Sequence, residues 1–457
     1  MGKQINADQL HRLVKQVIDS GQASTVEEAE EIFRGYRVAV GIGDARNAAS
    51  QVGMLTAIAL ASRVFLGGVS VTGELDVPLL TPLFNVPTLK EAVKLLGVQV
   101  QNEAEDLPTI WIGGPARDAG TQFSVRATFS GWRGGIVPVR SNVRLDEGNA
   151  LPLAAMLAAA LAINEAYLYV SGFSASAGRR QQGFSLWQPS ASCDWLDAAS
   201  DGPPLEYLPS HLWLIGLGHL GQAYLWTLGV LPYPRNQSLS LVLQDFDDIT
   251  PSSESTSVLT NATLVGVKKT RALAAWADDR GFRTAIYERR FEGDFRRQPD
   301  EPAIALCGLD NAVGRQPLDQ VGFDFVIEAG LGRNHQNFQT MRLHTLPASR
   351  SAAEIWRSSS ETEAPELHGA YKVMLENGQL DRCGVTLLAG KAVGAPFVGS
   401  VAACLAVSEV LRLLHGGQIN QMIDLDLRSV EHRTAIAQSR DFSALNPGFI
   451  RVKGALK

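Results

Sequence analysis

Residues 211–229, HLWLIGLGHLGQAYLWTLG, place an apolar run, a glycine-rich turn and a second apolar stretch in the order strand, turn, helix. The first run is His211–Ile215, and the turn has glycines at Gly216, Gly218 and Gly221 in the pattern G-x-G-x-x-G. Glycines let the backbone approach a phosphate closely, and the N–H groups at a helix N-terminus point toward it. The stretch therefore predicts a nucleotide-binding unit of strands and helices.

A second apolar run, Leu239–Leu243, ends in an acidic tip at Asp245 and Asp247. An acid at the carboxyl end of such a strand can accept a hydrogen bond from a ribose hydroxyl. The glycine pattern alone is weak evidence, because such turns are common, and it gains weight in combination with the acid-tipped strand. Together they favour a parallel sheet that binds a nucleotide.

Lysine and aspartate positions further along separate nucleotidyl transfer from hydride transfer. Lys269 follows a glycine-led turn, and Asp310-Asn311 follow a third apolar run, with Arg315 one helical turn later. An adenylating enzyme uses a cation against the phosphates and an acid that holds magnesium, which a dehydrogenase does not need. Lys268 adjoins Lys269, so the register of the lysine is open by one residue, and Lys269 is preferred.

This order of motifs resembles the ubiquitin-activating and ThiF/MoeB adenylyltransferase superfamily, which adenylates the C-terminal carboxylate of ubiquitin-like proteins. The resemblance implies ATP and Mg²⁺ as cofactors, with Asp245 at the ribose, Lys269 at the phosphates and Asp310 at the magnesium. Lys269 and Asp310 then have catalytic roles. The nucleotide-binding positions carried over are Gly216, Gly218, Gly221, Asp245, Asp247, Lys269, Asn311 and Arg315.

One block departs from the family pattern. Where the family reads S-N-L-x-R-Q, residues 252–257 read SSESTS, so the arginine that would bind the triphosphate is replaced by Thr256. In the family an N-terminal segment often lends an arginine to the partner unit's ATP site. Arg12 and Arg34 are the candidates for that role, and a solvated helix charge is the simpler interpretation of each.

An internal comparison predicts two similar units. A strand followed by Gly41-x-Gly43 repeats the strand and turn at Gly216, and residues 150–167 align without a gap on residues 394–411. The first unit lacks the acidic tip, the lysine and the Asp-Asn pair. We therefore expect an α/β protein of two tandem Rossmann-like, ThiF-type units, a pseudo-dimer with parallel-rich sheets flanked by helices.

The domain boundaries follow from this comparison. We expect N-terminal helices in 1–35, at Ala7–Ser20 and Val26–Phe33, an inactive unit in 36–170 and a linker in 171–210. The active unit spans 211–457 and includes a crossover loop at about 346–393. These domain assignments rest on composition and motif order.

The cysteines are the candidates for a second chemical step, in which a thiol accepts the activated C-terminus. Cys193, Cys307, Cys383 and Cys404 are scattered and form no C-x-x-C pair, so no zinc site is expected. In the resembling family the crossing segment carries the cysteine that accepts the activated C-terminus, and Cys383 occupies that place. Arg382 beside it would lower the thiol pKa. The alternative is a semi-buried structural thiol.

Composition limits the class of partner. Hydrophobic residues make up 45% and charged residues 19%, which are values of a globular protein. The net charge of −6 argues against a nucleic-acid surface. The apolar stretch Leu151–Ile163 is too short to span a bilayer, and residues 1–8 are polar with no export signal. We expect a cytoplasmic protein with no membrane partner.

The function expected from the resemblance is ATP-dependent activation of a ubiquitin-like protein. Adenylation of its C-terminus would precede a thioester on Cys383 and transfer to a ubiquitin-conjugating-like enzyme. The resemblance is to bacterial enzymes of antiphage conjugation operons, and a homodimer is compatible with it. The alternatives are a sulfur-carrier adenylyltransferase, which the lack of C-x-x-C disfavours, and a non-catalytic ThiF-fold binding protein, which Thr256 favours. A nicotinamide dehydrogenase is disfavoured by Lys269 and Asp310.

Overall fold

The structure is a computed structural model of the chain. It describes residues 9–100, 106–116, 120, 122–234, 237–357, 369–376 and 382–452. Within those ranges the side chains of residues 99, 100, 370, 382–384 and 387 are not described.

The first sheet has seven strands in the order β3-β2-β1-β4-β5-β6-β7. The strands from β3 to β5 pair in parallel, whereas β6 pairs antiparallel with both β5 and β7. Their bounds are β1 (Arg37–Ile42), β2 (Gly68–Thr72), β3 (Gln99–Val100), β4 (Thr109–Ile112), β5 (Ser124–Ser130), β6 (Arg133–Pro138) and β7 (Gln182–Ser185).

The second sheet has eight strands. A short two-stranded pair, β8 (Tyr207–Pro209) with β17 (Phe449–Arg451), lies outside both sheets. The bounds in the second sheet are β9 (His211–Ile215), β10 (Ser240–Gln244), β11 (Arg283–Tyr287), β12 (Ile304–Cys307), β13 (Phe325–Leu331), β14 (Thr340–Leu346), β15 (Asn420–Asp426) and β16 (Thr434–Ala437). The order is β11-β10-β9-β12-β13-β14-β15-β16, which is the order of the first sheet with one strand added. The predicted α/β class with parallel-rich sheets is confirmed, whereas an origin by duplication stays a prediction.

Helices lie between and around the sheets. Their bounds are α1 (Lys15–Asp19), α2 (Val26–Arg34), α3 (Ala48–Ala61), α4 (Leu89–Leu95), α5 (Pro152–Val170), α6 (His219–Gly229), α7 (Lys269–Asp278), α8 (Ala312–Arg315), α9 (Ala352–Ile355), α10 (Gly369–Glu376), α11 (Arg382–Gly390) and α12 (Pro396–Leu414). Helices α3, α5, α6 and α12 contact one another and are buried almost all round. They form one continuous apolar core with the inner faces of both sheets.

Helices α5 and α12 match the internal alignment. Each begins at a proline, Pro152 or Pro396, and each is 19 residues long. The aligned acids Glu165 and Glu409 are both buried and accept backbone N–H groups that follow their helices, from Gly178 at 2.9 Å and Asn420 at 3.2 Å.

Both helices are long and apolar enough to cross a membrane, and most of each is buried within the fold. Leu151–Ile163 was expected to be too short for such a span. It lies almost wholly within the longer α5, because the helix continues through buried Asn164 and Glu165 to Val170.

The N-terminal segment differs in part from the prediction. Helix α2 begins after Thr25, whose hydroxyl accepts from the Glu28 N–H at 3.1 Å, as the sequence pattern indicates. The predicted helix Ala7–Ser20 is wrong within the described residues, because α1 begins only at Lys15. The reason is a long-range contact, since the Arg12 N–H bonds to the Ser255 hydroxyl at 3.1 Å and draws the chain onto the second sheet's loops.

The segment predicted as a linker, 171–210, is not a simple connection. Residues Gln182–Ser185 form β7 and close one edge of the first sheet, and Tyr207–Pro209 form β8. The glycines of β6 permit this pairing, since a Cβ at Gly135 would lie 2.4 Å from the Gln182 carbonyl oxygen. The end of the first unit at 170 therefore leaves out a strand of its own sheet.

Candidate nucleotide site

The glycine turn after β9 lies at the carboxyl end of the second sheet's parallel strands. Gly216 has φ +79°, a conformation that favours glycine, and its N–H donates to the Gln244 carbonyl at 2.9 Å. A Cβ at Gly221 would lie 2.1 Å from the Gly216 carbonyl oxygen, so α6 packs directly on the turn. These two glycines shape the turn as predicted.

Gly218 has a different environment. A Cβ built there would meet no atom within 4 Å, so the turn has open space in front of the first residues of α6. Backbone N–H groups at a helix N-terminus next to open space suit an anionic ligand. This open space lies where the motif predicts a phosphate, and phosphate binding stays a prediction.

Asp245 stabilises this turn. One oxygen of its buried carboxylate accepts from the Leu217 N–H at 2.7 Å, and the other accepts from the Asp247 N–H at 2.8 Å. A carboxylate has about four lone-pair sites, so it can still accept from a hydroxyl. The structure thus gives Asp245 a role in closing the turn, in addition to the predicted ribose contact.

Lys269 lies beside both acids. Its Nζ is 2.9 Å from Asp247 and 3.6 Å from Asp245, and its side chain is largely buried. Lys268 turns away, bonding to the Phe246 carbonyl at 2.8 Å and pairing with Asp248 at 3.0 Å. Lys269, the first residue of α7, is thus the lysine that pairs with Asp245 and Asp247, and its role at the phosphates stays a prediction.

The residues after β12 have separate roles. Asp310 is exposed, its backbone carbonyl accepts from Arg333 at 2.6 Å, and no described residue bonds to its carboxylate. The Asn311 side chain caps α8 by accepting from the Gly314 N–H at 2.6 Å. Arg315 holds this loop from behind, through the Leu309 carbonyl at 3.0 Å and through an ion pair. A direct nucleotide contact by Arg315 stays a prediction.

The ion pair of Arg315 is buried. Its Nε lies 2.8 Å from the carboxylate of Glu328, a β13 residue that is almost fully buried. No local sequence pattern identifies Glu328 as a functional residue.

The block without the family arginine lies under the N-terminal segment. Residues Pro251–Ser255 form a short 3₁₀-helix, and Thr256 is buried. Of the two arginines considered, Arg34 pairs with Glu30 and Glu31 on an exposed helix face. Arg12 lies at the block itself, with its N–H on Ser255 and its guanidinium 3.4 Å from the Ala392 carbonyl.

A half-buried arginine from the first unit also reaches this region. Arg63 donates to the carbonyls of Val258 at 3.1 Å and Thr260 at 2.9 Å. Burial lowers the pKa of its guanidinium to about 10. Gln222 on α6 bonds to the Leu259 N–H at 3.0 Å, so the loop is held from both sides. The sequence analysis did not identify either residue, because their partners are distant in sequence.

The predicted acceptor cysteine lies in the crossing segment. Cys383 is the second residue of α11, and its side chain is outside the described residues. Helix α10 of the same segment is anchored by Tyr371, whose hydroxyl donates to Asp19. Asp19 also pairs with Lys15, and all three side chains are buried. The segment is thereby tied to the N-terminal helix.

The buried thiols of Cys307 and Cys404 are poor nucleophiles. Burial raises the pKa of Cys307 to about 12 and raises that of Cys404 further. Cys193 is half-buried, and its thiol donates to the Gln188 side chain at 3.2 Å. Within the described part of the chain there is no group of three acidic, histidine or cysteine residues able to hold a metal ion.

The glycine turn of the first unit lacks this open space. A Cβ at Gly43 would lie 2.2 Å from the Gly113 carbonyl oxygen and 2.9 Å from that of Pro115. The backbone after β4 therefore packs over the turn. A phosphate could not occupy the same place without moving that backbone.

Comparisons with known proteins identify the family. The BilD N-terminal domain matches residues 35–186, and the BilD C-terminal domain matches residues 208–417. A relative from Collimonas sp. (strain OK412), named "Bacterial E1-like protein BilD", is 44% identical over 420 residues, which are 91% of this chain and 90% of the relative. The crystal structure of E. coli MccB matches with a TM-score of 0.35 and 14% identity, over 69% of this chain and 93% of that chain. Since both domains match and the relative is similar over nine tenths of its length, the chain belongs to the BilD family of bacterial E1-like proteins.

Proposed function

We propose that this protein uses ATP to activate the C-terminus of a ubiquitin-like protein, first as an acyl-adenylate and then as a thioester on Cys383. The activated protein would pass to a ubiquitin-conjugating-like enzyme, in the cytoplasm and within a bacterial antiphage conjugation system. The observation that carries the proposal is the open glycine turn at Gly218 beside Lys269. The E1-like name of the Collimonas relative supports the same reaction class.

ATP fits this edge of the second sheet. The space before Gly218 suits phosphate oxygens, which the N–H groups of the turn can bind. Lys269 would exchange its bond to Asp247 for the phosphates, and Asp245 remains at the strand tip for the ribose. Asn311 has a side-chain amide N–H₂ beyond its capping bond and would add a donor at this edge.

Mg²⁺ also fits the donors present. Magnesium in nucleotide enzymes is usually bound by one or two carboxylates together with the phosphates and water. Asp310 offers an exposed carboxylate with no described partner. When bound there, the ion would neutralise charge on the phosphates, while Arg333 and Arg315 hold the Asp310 loop in place.

In both chemical steps the residues of this chain would stabilise charge and hold the reacting groups in position. An oxygen of the substrate carboxylate attacks the α-phosphorus, the acyl-adenylate forms and pyrophosphate leaves. Lys269 would stabilise the developing charge. In the second step the Cys383 thiolate attacks the acyl carbon, the thioester forms and AMP leaves.

The first unit would bind no nucleotide, because its turn at Gly43 is covered by backbone. Its contribution is to support the second unit, for example through Arg63 on the loop at 258–260. We infer no nucleic-acid or membrane partner, and a homodimer remains compatible with the proposal.

ATP–pyrophosphate exchange with a candidate ubiquitin-like protein tests the proposal. We expect exchange in the wild type and in Cys383→Ala, and its loss by about 100-fold or more in Asp310→Ala. Asp294→Ala is the matched control, since Asp294 is an exposed acid paired with Arg289.

Two outcomes would contradict parts of the proposal. Exchange without a thioester, followed by a thiocarboxylate on the partner, would identify a sulfur-carrier adenylyltransferase. ATP binding without exchange, for every ubiquitin-like protein encoded beside the gene, would identify a non-catalytic binding protein. Thr256 in place of the family arginine would then be the physical reason.

A further inference from the structure

The two faces of the first sheet differ in chemistry. On β4 and β5 the side chains of Ile110, Ile112, Val125 and Ala127 point into the apolar core beneath α3 and α5. Side chains alternate along a strand, so the intervening residues lie on the opposite face. These residues are Thr109, Trp111, Ser124, Arg126 and Thr128.

Three neighbours on this face are buried donors without an acceptor. The Trp111 indole nitrogen, the Ser124 hydroxyl oxygen and the Arg126 Nε are buried atoms with no hydrogen-bond partner among the described residues. Trp111 and Arg126 are register partners on adjacent strands, and Ser124 precedes Arg126 by two residues on the same face. We call these three residues the Arg126 cluster.

The residues of the cluster are held in position by the sheet. Trp111 and Arg126 are each only 8% exposed. A Cβ at Gly41 would lie 2.6 Å from the Trp111 ring, so the absence of a side chain there lets the indole lie against β1. On the other side β5 pairs with β6, where Val137 faces Arg126 and packs with Leu145 and Trp195. The donors therefore lie in a partly apolar environment, where charge interactions are stronger than in water.

The nearest acid does not satisfy them. Glu147 accepts from the Gly114 N–H at 3.1 Å, from the Thr128 hydroxyl at 2.8 Å and from Arg144 at 2.8 Å. Its charge reaches Arg126, yet burial lowers the pKa of the Arg126 guanidinium, with Arg144 acting in the same direction. With two arginines around one carboxylate, the local charge is positive. Leaving a buried donor without an acceptor is unfavourable, and more so when the donor is charged.

The corresponding face of the second sheet has no such cluster in the described residues. Trp213 there is packed by Phe295 and Phe323, with ring centroids 5.1 Å and 5.5 Å apart, and its indole N–H donates to Gln244 at 3.0 Å. On this face the second sheet has a single buried donor without an acceptor, the Gln244 Nε2, in the described residues, whereas the first unit, whose glycine turn is closed, has the three donors of the Arg126 cluster side by side.

We propose that the Arg126 cluster is an anion site of the first unit that binds the carboxylate or phosphate group of a small ligand. The guanidinium offers a planar pair of donors that matches two oxygens of either group, and the indole N–H and serine O–H add single donors. This site is distinct from the proposed ATP site and does not depend on the activating reaction.

The Trp111 indole N–H is a direct reporter of occupancy. The protein is labelled with ¹⁵N at its tryptophan indoles, and the Trp111 signal is assigned with Trp111→Phe. Inorganic phosphate and acetate are titrated separately against the full-length protein, with chloride at matched ionic strength as the reference. We expect a saturable shift of the Trp111 signal with at least one of the two oxyanions. A shift with phosphate identifies a phosphate group as the ligand, and a shift with acetate identifies a carboxylate.

Variants separate the site from general salt effects. Arg126→Met should abolish the saturable shift, whereas Arg342→Met, which removes an exposed arginine paired with Asp424, should leave it unchanged. If Arg126→Met does not fold, Arg126→Lys should weaken the apparent affinity by about tenfold because the planar fork is lost. The proposal is overturned if neither oxyanion gives a saturable shift, or if the shift persists in the Arg126 variant.

Discussion

The Nζ of Lys269 lies 2.9 Å from the carboxylate of Asp247, at the point where the second and third motifs of the nucleotide site meet. Lys268, one residue earlier, bonds to Asp248 and the Phe246 carbonyl instead. Adjacent lysines thus face different partners because α7 begins at Lys269 and turns its first side chain toward the sheet.

This difference makes the two lysines a matched pair. Lys269→Met should reduce ATP–pyrophosphate exchange by about 100-fold or more, because a cation is lost where negative charge develops. Lys268→Met should change exchange by less than about threefold, since its ion pair is partly exposed and weak. Equal losses in the two variants would contradict the assignment of Lys269.

A second pair is provided by the turn glycines. Gly218→Ala places a methyl group in open space, so we expect an unchanged melting temperature and ATP affinity lowered by about tenfold or more. Gly221→Ala places a methyl group 2.1 Å from the Gly216 carbonyl, so we expect a loss of about 1–3 kcal/mol in the free energy of unfolding. Calorimetric binding and thermal melts distinguish the two. Undiminished ATP binding by Gly218→Ala would place the nucleotide elsewhere.

Part of this site could be predicted from local sequence. The glycines, Asp245 and Lys269 converge because parallel strands bring their carboxyl ends to one edge of the sheet. A strand followed by a glycine turn can be predicted from the local sequence pattern. Asp245 bonding to the Leu217 N–H could not be predicted in this way. The bond joins two strand ends 28 residues apart, and its geometry is set only when the strands are paired.

Long-range supports were missed for the same reason. Arg63 bonds to carbonyls 195 and 197 residues away, so its local surroundings at the end of α3 contain no indication of the contact. The predicted helix Ala7–Ser20 was wrong because Arg12 bonds to Ser255, 243 residues away, in competition with helical hydrogen bonds. Where a hydrogen-bond partner is this distant in sequence, the local helix propensity of a segment does not determine its conformation in the fold.

The thiols give a third prediction. Because Cys307 and Cys404 are buried and their pKa values are raised, iodoacetamide at neutral pH should leave both unmodified in the native protein. After denaturation all four cysteines should react. In a thioester assay, Cys383→Ala should abolish the conjugate and Cys193→Ala should retain it. Loss of the conjugate in Cys193→Ala alone would move the acceptor to the half-buried thiol.

The anchor of the crossing segment gives a fourth prediction. Tyr371→Phe removes the hydroxyl that donates to buried Asp19, which we expect to cost about 1–3 kcal/mol in the free energy of unfolding. Hydrogen exchange should also rise in 369–376, since α10 loses its tie to the N-terminal helix. Tyr233→Phe is the control, because its hydroxyl bonds to the Pro209 carbonyl at 3.0 Å and does not contact α10. Equal exchange of 369–376 in both variants would contradict the anchor.

The N-terminal segment should also loosen in acid. The His11 Nδ1 accepts from the N–H groups of Leu13 at 3.3 Å and Val14 at 3.4 Å, and burial lowers its pKa from 6.5 to about 4. The unfolded chain therefore binds more protons between these values. The contribution of His11 to stability is complete above pH 6.5 and is lost as the pH falls toward 4.

The slope is at most about 1.4 kcal/mol per pH unit, or about 2 kcal/mol between pH 6.5 and 5. His11→Asn keeps an acceptor for the two N–H groups but does not titrate in this range, so its free energy of unfolding should fall less with acid. His219, whose pKa burial also lowers to about 4, is present in both proteins and cancels in the difference. Denaturant unfolding of both proteins at pH 7, 6 and 5 measures the slopes. Parallel slopes would mean that His11 is protonated in the fold and does not hold the N-terminal segment through its neutral ring.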